Sequence, residues 1–226
     1  AVDIAESEPE AAALGNAIGP GVLASVCAAN NTRLIHVSTD FVFDGASSVP
    51  YTPQMATGPL GEYGRSKLAG EAAVQVALPN ALIVRTGWVY SAFGGNFVKT
   101  MLRLGAERDG LNVVADQIGG PTGARDIALT CHAIAKQLID GPEKSGTYHF
   151  SGAPDCSWAD FARAIFATSG LKCDVTDIST SAYPTPAERP LNSRMDCTLS
   201  ETVFGITPPD WRTSLTEILN DLGAVK

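Results

Sequence analysis

Sulfur and imidazole are sparse in this chain: five cysteines and three histidines in 226 residues. Cys27, Cys131, Cys156, Cys173 and Cys197 are odd in number, far apart and form no C-x-x-C. That argues against a disulfide framework and reads as the reduced thiols of a cytosolic protein. The histidines do not join the cysteines at zinc spacing, so no metal site is expected. No run of Lys or Arg exceeds two and the formal net charge is −8, which speaks against a nucleic-acid or anionic-membrane surface. No apolar run is expected to reach membrane-span length. The opening "AVDIAESEPE" has no initiator Met, no basic n-region and no signal-peptide h-region, and reads like the middle of a protein.

A further absence bears on function. A dinucleotide site of the Rossmann type needs a strand, a G-x-G-x-x-G or G-x-x-G-x-x-G turn, and a helix whose N-terminus faces the pyrophosphate. The nearest stretch is "GNAIGPG", Gly15 to Gly21. It follows the helical "EAAAL", and Pro20 stands where backbone should approach phosphate, so a break within the first helix is the better reading. Gly94–Gly95 and Gly119–Gly120 come too late in the chain.

What is present suffices for a packed core: 45% hydrophobic and 18% charged residues. The spacing predicts a helix from about Pro9 to Asn30, a buried strand at "RLIHVS", a long Gly/Pro/Ser loop, and a helix at "EYGRSKLAGEAAVQVAL". A second buried strand is read over the whole of "ALIVRTGWVY". Helices follow at "NFVKTMLRLGAERDG", "RDIALTCHAIAKQLID", "SWADFARAIFATSG" (with Ser157 as N-cap) and "DWRTSLTEILNDLG". Strands follow at "LNVVAD", "GTYHFS" and "CDVTDI". Strands alternating with helices imply an α/β fold with a parallel sheet. A core over residues 1–93 with parts of 111–152 is expected, and a smaller lobe over 94–110 and 153–226.

"EYGRSK" places Tyr63 four residues before Lys67, on one face of a helix. A free tyrosine holds its proton too tightly at neutral pH, and a nearby ammonium would favour the phenolate. Tyr63 could then give a proton to a carbonyl oxygen or take one in reverse. Taken alone, the pair is as readily a half-buried Tyr and an exposed Lys. "HVSTD" ends the first predicted strand with Ser38, Thr39 and Asp40, and "RTGWVY" puts Thr86, Gly87 and Trp88 on the same rim. Ligands of open α/β sheets sit at such strand ends. Trp88 as plain core packing is an equal reading at this point.

These residues carry a resemblance. "AVDIAESEPE", "HVSTDFVFDG", "PLGEYGRSKLAGE", "VRTGWVYSAFGGNFVKTML", "GGPTGARDIA", "PTPAERPLNSRMD" and "PDWRTSL" resemble, in order, the extended short-chain dehydrogenase/reductase family across nearly the whole chain. The resemblance implies an incomplete Rossmann-like parallel sheet with a smaller C-terminal substrate-binding lobe. It implies reduction of the C4 keto group of dTDP-4-dehydro-6-deoxy-L-mannose to dTDP-L-rhamnose with NADPH or NADH. Tyr63, Lys67 and Thr39 match catalytic positions, and Tyr63, Lys67, Thr86 and Gly87 cofactor-binding ones. Thr39, Asp40, Trp88, Val2, Asn96 and Asn192 match substrate-binding ones. The implied partners are a dTDP-sugar and a second copy in a homodimer, in the cytoplasm, without nucleic acid or membrane.

Three departures from the family pattern stand out. The first β-α-β lead-in is not found, so weak NADPH binding by this chain alone is expected. Arg125 stands where some members carry a Glu used in a metal-linked dimer contact. Phe41 replaces a common Tyr. Two other functions stay open here: a nucleotide-sugar epimerase or dehydratase of the same fold, and a non-catalytic regulatory subunit of methionine adenosyltransferase.

Overall fold

The computed structural model describes residues 2–141 and 144–225. The chain opens with three helical pieces: α1 (Val2–Ser7), α2 (Pro9–Ala13) and α3 (Gly19–Ala29). A π-helical turn, Leu14–Ile18, joins the last two. "GNAIGPG" is therefore a continuous helix, not the break expected, with Pro20 in the first turn of α3, where its missing N–H does no harm. Pro9–Ala29 is also long and apolar enough to cross a membrane, contrary to the sequence reading. Its alanines, glycines and aliphatics leave no charge beyond Glu10. In the fold this helix is a surface layer: Ala24 and Cys27 pack against Val74 and Leu78.

The central sheet is β1 (Ile35–Thr39), β2 (Leu82–Thr86) and β7 (Gly146–His149), in the order β1-β2-β7 and parallel throughout. β2 lies in the middle and all five of its residues are buried. A strand covered on both faces reads as an unbroken apolar run, as "LIV" does. Between β1 and β2 the chain passes through the long loop and α4 (Glu62–Ala77), which packs on α3.

"ALIVRTGWVY" is not one strand. β2 stops at Thr86 and β3 (Val89–Tyr90) pairs in parallel with β6 (Thr122–Gly123) in a separate two-stranded sheet. The break is Gly87–Trp88, with Trp88 at φ +50°. The remaining elements are α5 (Phe97–Glu107), β4 (Gly110–Val114), β5 (Ile118–Gly119), α6 (Ala124–Asp140), β8 (Cys156–Ser157), α7 (Trp158–Ser169), β9 (Asp174–Ile178), α8 (Thr198–Phe204) and α9 (Trp211–Asp221). β4 pairs in parallel with β9, and β5 antiparallel with β8.

α7 starts with a capping box between Ser157 and Asp160. Phe161, Ala162, Ile165 and Phe166 are buried at the expected helical spacing and form one core with α5, β4 and α9. A second core joins Leu82 and Val84 of β2 to Ile127, Ile134 and Leu138 of α6. α8, where the sequence pattern predicted no element, adds Phe204 to that second core.

His149 closes β7 fully buried, with Nδ1 3.0 Å from the Tyr51 carbonyl oxygen and Nε2 without a partner. Burial, and then the charge of Arg85, push its pKa down to about 3. His36 on β1 is lowered to about 4 by burial and by Lys67. Both native imidazoles thus refuse a proton that the unfolded chain accepts near pH 6.5. Their stabilising contribution is complete above pH 6.5 and is lost as the pH falls towards 4 and 3. At 1.36 kcal/mol per pH unit, His149 alone removes about 2 kcal/mol between pH 7 and pH 5. Buried Asp40, raised to about 6, takes up a proton in the native state over the same interval and returns about 1 kcal/mol. Urea unfolding should therefore show a net loss of stability at pH 5. A His149→Gln variant should lose about 2 kcal/mol less between the two pH values. Equal pH dependence in both proteins would remove His149 as the cause.

Candidate active site

β1 delivers Thr39 and Asp40 to its C-terminal end, where a single 3-10 turn (Asp40–Val42) follows. Thr39 caps that turn: its Oγ1 accepts from the Phe41 N–H at 3.2 Å and donates to Asp40 Oδ1 at 2.9 Å. Asp40 is 2% exposed, and its Oδ2 has no partner. Burial pushes this carboxyl up to about 6, against the pull of the Thr39 hydroxyl. Gly87 at the end of β2 lies directly against it. A Cβ there would stand 2.5 Å from the Asp40 carboxyl carbon, so only glycine lets the chain pass.

α4 brings Tyr63 to the same place. Its N-terminus is fixed from α1, where Glu6 Oε1 accepts from the Glu62 N–H at 2.7 Å. The Tyr63 ring meets Phe41 edge-on, with centroids 5.6 Å apart. Phe41 lacks the hydroxyl of the common Tyr but supplies this contact. Tyr63's phenol is shifted upwards, not downwards: burial raises it, the Thr39 hydroxyl opposes, and the Asp40 charge adds to the rise. Lys67, one turn on, does not reach the phenol to lower it. Its ammonium donates to the Val37 carbonyl of β1 at 2.8 Å. The expected lowering of the phenol by Lys67 is therefore not found in this state: the ammonium is taken up by the Val37 carbonyl, and burial sets the direction of the shift. The result is a firmly protonated phenol beside a hydroxyl.

The next strand supplies an aromatic wall. Trp88 stacks on Trp158 of α7 with centroids 3.6 Å apart and planes 4° from parallel, and its Nε1 donates to Ser193 Oγ at 3.0 Å. Trp158 Nε1 donates to Gln117 Oε1 at 3.1 Å. Both indoles line a cavity of about 730 Å³, together with Phe41, Phe97, Arg189 and Ser193. Trp88 is therefore a half-buried wall of a cavity, not only core. Arg189 comes from the Pro-rich loop and is held by Asp3, next to Val2, through contacts of 2.8 Å to each carboxylate oxygen. That tie joins the Pro-rich loop to the first helix across 186 positions of chain.

Two residues matched to substrate binding are otherwise engaged. Asn192 is 7% exposed. Its amide donates to the Ser47 and Val49 carbonyls at 2.8 and 3.0 Å, and its Oδ1 accepts from Arg194. Asn96 is the N-cap of α5, accepting from the Lys99 N–H and donating to the Ser91 carbonyl at 2.7 Å. Asn192 has both donors and its carbonyl oxygen taken up by the fold, and Asn96 is committed to the helix cap with one acceptor site left. Arg125 pairs with Glu217 on the surface at 3.6 Å.

A parallel α/β core, with a Tyr and a Lys on one helix face and a Thr–Asp pair at the adjoining strand end, has the architecture of the short-chain dehydrogenase class. The chain matches the model of the RmlD substrate binding domain over residues 1–224 and belongs to that family. It is 49% identical over 220 residues to a dTDP-4-dehydrorhamnose reductase of Sinorhizobium fredii, covering 95% of this chain and 74% of that protein. The reductase of Salmonella typhimurium is 42% identical over 229 residues, covering 98% and 76%. Among solved structures, the Clostridium acetobutylicum dTDP-4-dehydrorhamnose reductase superposes with a TM-score of 0.92 at 38% identity, covering 99% of this chain and 78% of that one. The Bacillus anthracis reductase, solved in complex with NADP, gives 0.89 at 38% identity, covering 97% and 76%. A dTDP-glucose 4,6-dehydratase superposes at 0.77 but is 17% identical, a likeness of fold alone.

Proposed function

We propose that this chain carries the proton-donating and sugar-binding side of a nicotinamide-dependent reductase. The reaction is reduction of the C4 keto group of dTDP-4-dehydrorhamnose (dTDP-4-dehydro-6-deoxy-L-mannose) to dTDP-L-rhamnose. The observation that carries this reading is Tyr63 beside the Thr39–Asp40 pair, with Lys67 one turn on, next to Phe41, which lines an aromatic-walled cavity. When bound, NADPH or NADH supplies the hydride. Tyr63, its pKa held above the ordinary value by burial, stays protonated and is placed to give its proton to the keto oxygen as that oxygen gains charge. Thr39 stands beside the phenol to share the oxyanion. Trp88 and Phe41 exclude water from the sugar ring, and Asp40, buried and half-satisfied, has Oδ2 free for a sugar hydroxyl.

The residues present fit the nicotinamide end of the cofactor. Lys67 has donors left beyond the Val37 carbonyl, and the Ser38 and Thr86 hydroxyls are buried without a partner at the strand ends. For the pyrophosphate, the described residues hold no strand–glycine turn–helix, and Gly15–Gly21 lies inside helix. Weak NADPH binding by this chain alone is the consequence. The sheet itself supports an incomplete Rossmann-like unit. β1 has one edge without a strand among the described residues, and Val37 on it is exposed. Leu14, Ile18, Val22 and Val26, four residues apart on the Pro9–Ala29 helix, are each more than half exposed. An apolar stripe and a free edge of this kind call for a covering layer. The core then comprises residues 1–93 with parts of 111–152 and α8, and the lobe comprises 94–110 with most of 153–226.

Incubation with dTDP-4-dehydrorhamnose and NADPH, at NADPH concentrations where calorimetry shows binding, should oxidise one NADPH per dTDP-L-rhamnose formed. Demonstrated NADPH binding with no rhamnose product by NMR would overturn the reading.

A further inference from the structure

We propose that Glu71 is a positioning residue for the Tyr63–Lys67 pair: clamped by Arg85, its carboxylate is the negative end of a buried ion pair that keeps Lys67 charged and turned to β1. This rests on the reading of Lys67 as a functional group. Glu71 lies four residues after Lys67 in α4, so Tyr63, Lys67 and Glu71 follow one another on one helix face. It is 3% exposed, and Arg85 of β2 is 5% exposed. Arg85 Nε donates to Oε1 at 2.9 Å and Nη2 to Oε2 at 2.6 Å, a fork that fixes the carboxylate plane. The guanidinium is itself held over the Phe43 ring, 5.1 Å from its centroid.

A buried ion pair adds little net stability over apolar side chains of equal volume, so the distinctive thing it supplies is an oriented field. The orientation is visible in its neighbours. The carboxylate end acts on Lys67 and on His36, while the guanidinium end acts on His149 on the far side of β2. The charged and titratable groups around Lys67 are Tyr63 and Glu71 on its own helix, His36 from β1, and Arg85 from β2, with Asp40 of the 3-10 turn acting on Tyr63. Burial works against the Lys67 ammonium, and Glu71 is the group that opposes it. His36 stays neutral near pH 7 and adds no repulsion. Lys67 can then remain protonated and donate to the Val37 carbonyl.

The test is the titration of the lysine amines by NMR in the whole chain, with Lys67 assigned by Lys67→Arg. In Glu71→Gln, which strands the Arg85 charge, the Lys67 midpoint should fall by about one pH unit or more, a tenfold loss in proton affinity. Glu71→Leu/Arg85→Met removes both charges at similar volume and stays folded even where the single variant does not. Its Lys67 midpoint should lie between those of Glu71→Gln and the parent. An unchanged Lys67 midpoint in the folded double variant would overturn the proposal. So would a fall in Glu71→Gln alone, which would assign the effect to a stranded Arg85. No substrate or cofactor enters this measurement, so failure of the reductase reading would leave it intact and be seen separately.

Discussion

Replacing Tyr63 by Phe lowers turnover of the sugar substrate by about 10²–10⁴-fold, the usual contribution of a positioned proton donor, and leaves the fold in place. The structure separates the two effects. The ring's packing role is its edge-on contact with Phe41, which a phenylalanine keeps. The hydroxyl's surroundings are the Thr39 hydroxyl and the Asp40 charge. Deleting one hydroxyl beside another costs about 1 kcal/mol or less. Substrate affinity should therefore change little while kcat collapses. The pH profile gives an independent check. A phenol raised above its ordinary pKa stays protonated through pH 9, so the parent's reductive rate should show no Tyr63-dependent fall across the neutral range. A variant that retains more than about a tenth of parental turnover would remove Tyr63 as the donor.

The parts of this site that the sequence revealed are those governed by local period. The i, i+4 spacing in α4 placed Tyr63 and Lys67 on one face, and the same spacing would have offered Glu71. The apolar runs located β1 and α7 within a residue or two, and the start of β2 within one. What stayed hidden depends on partners far along the chain. "ALIVRTGWVY" has an unbroken strand pattern, yet it breaks at Gly87–Trp88. The causes are the Asp40 carboxyl against Gly87, 47 positions earlier, and the Trp158 ring against Trp88, 70 positions later. The direction of the Tyr63 shift was hidden too, since burial is a property of the assembled fold, and the ammonium four residues away is engaged by the Val37 carbonyl. Asn96 and Asn192 matched a pattern of identities, but their amides are taken up by a helix cap and a loop tie. The Asp3–Arg189 tie spans 186 positions, and neither residue type nor spacing signals it.

Gly64→Ala should be the most damaging single-methyl change near this site. Gly64 is the third residue of α4 and is buried. In an exposed helix the substitution would stabilise by about 0.5–1 kcal/mol. Here a Cβ would overlap the Phe41 carbonyl oxygen and stand 2.8 Å from Pro59 Cβ. The first of these is backbone, locked in the 3-10 turn that Thr39 caps, and cannot rotate away. Either α4 shifts outwards or the turn deforms, and overpacking of this kind costs about 1–3 kcal/mol, which exceeds the gain in helix propensity. Both routes move Tyr63 relative to Thr39. A displacement near 1 Å lowers a reaction that depends on aligned groups by about 10²-fold. The expected result is a lower thermal midpoint together with a fall in kcat measured well below it. Gly95→Ala is the control, because a Cβ there meets nothing within 4 Å. If Gly64→Ala matched Gly95→Ala in both stability and turnover, the close approach of α4 to the Thr39–Phe41 turn would not be what sets the distance between the phenol and the hydroxyl.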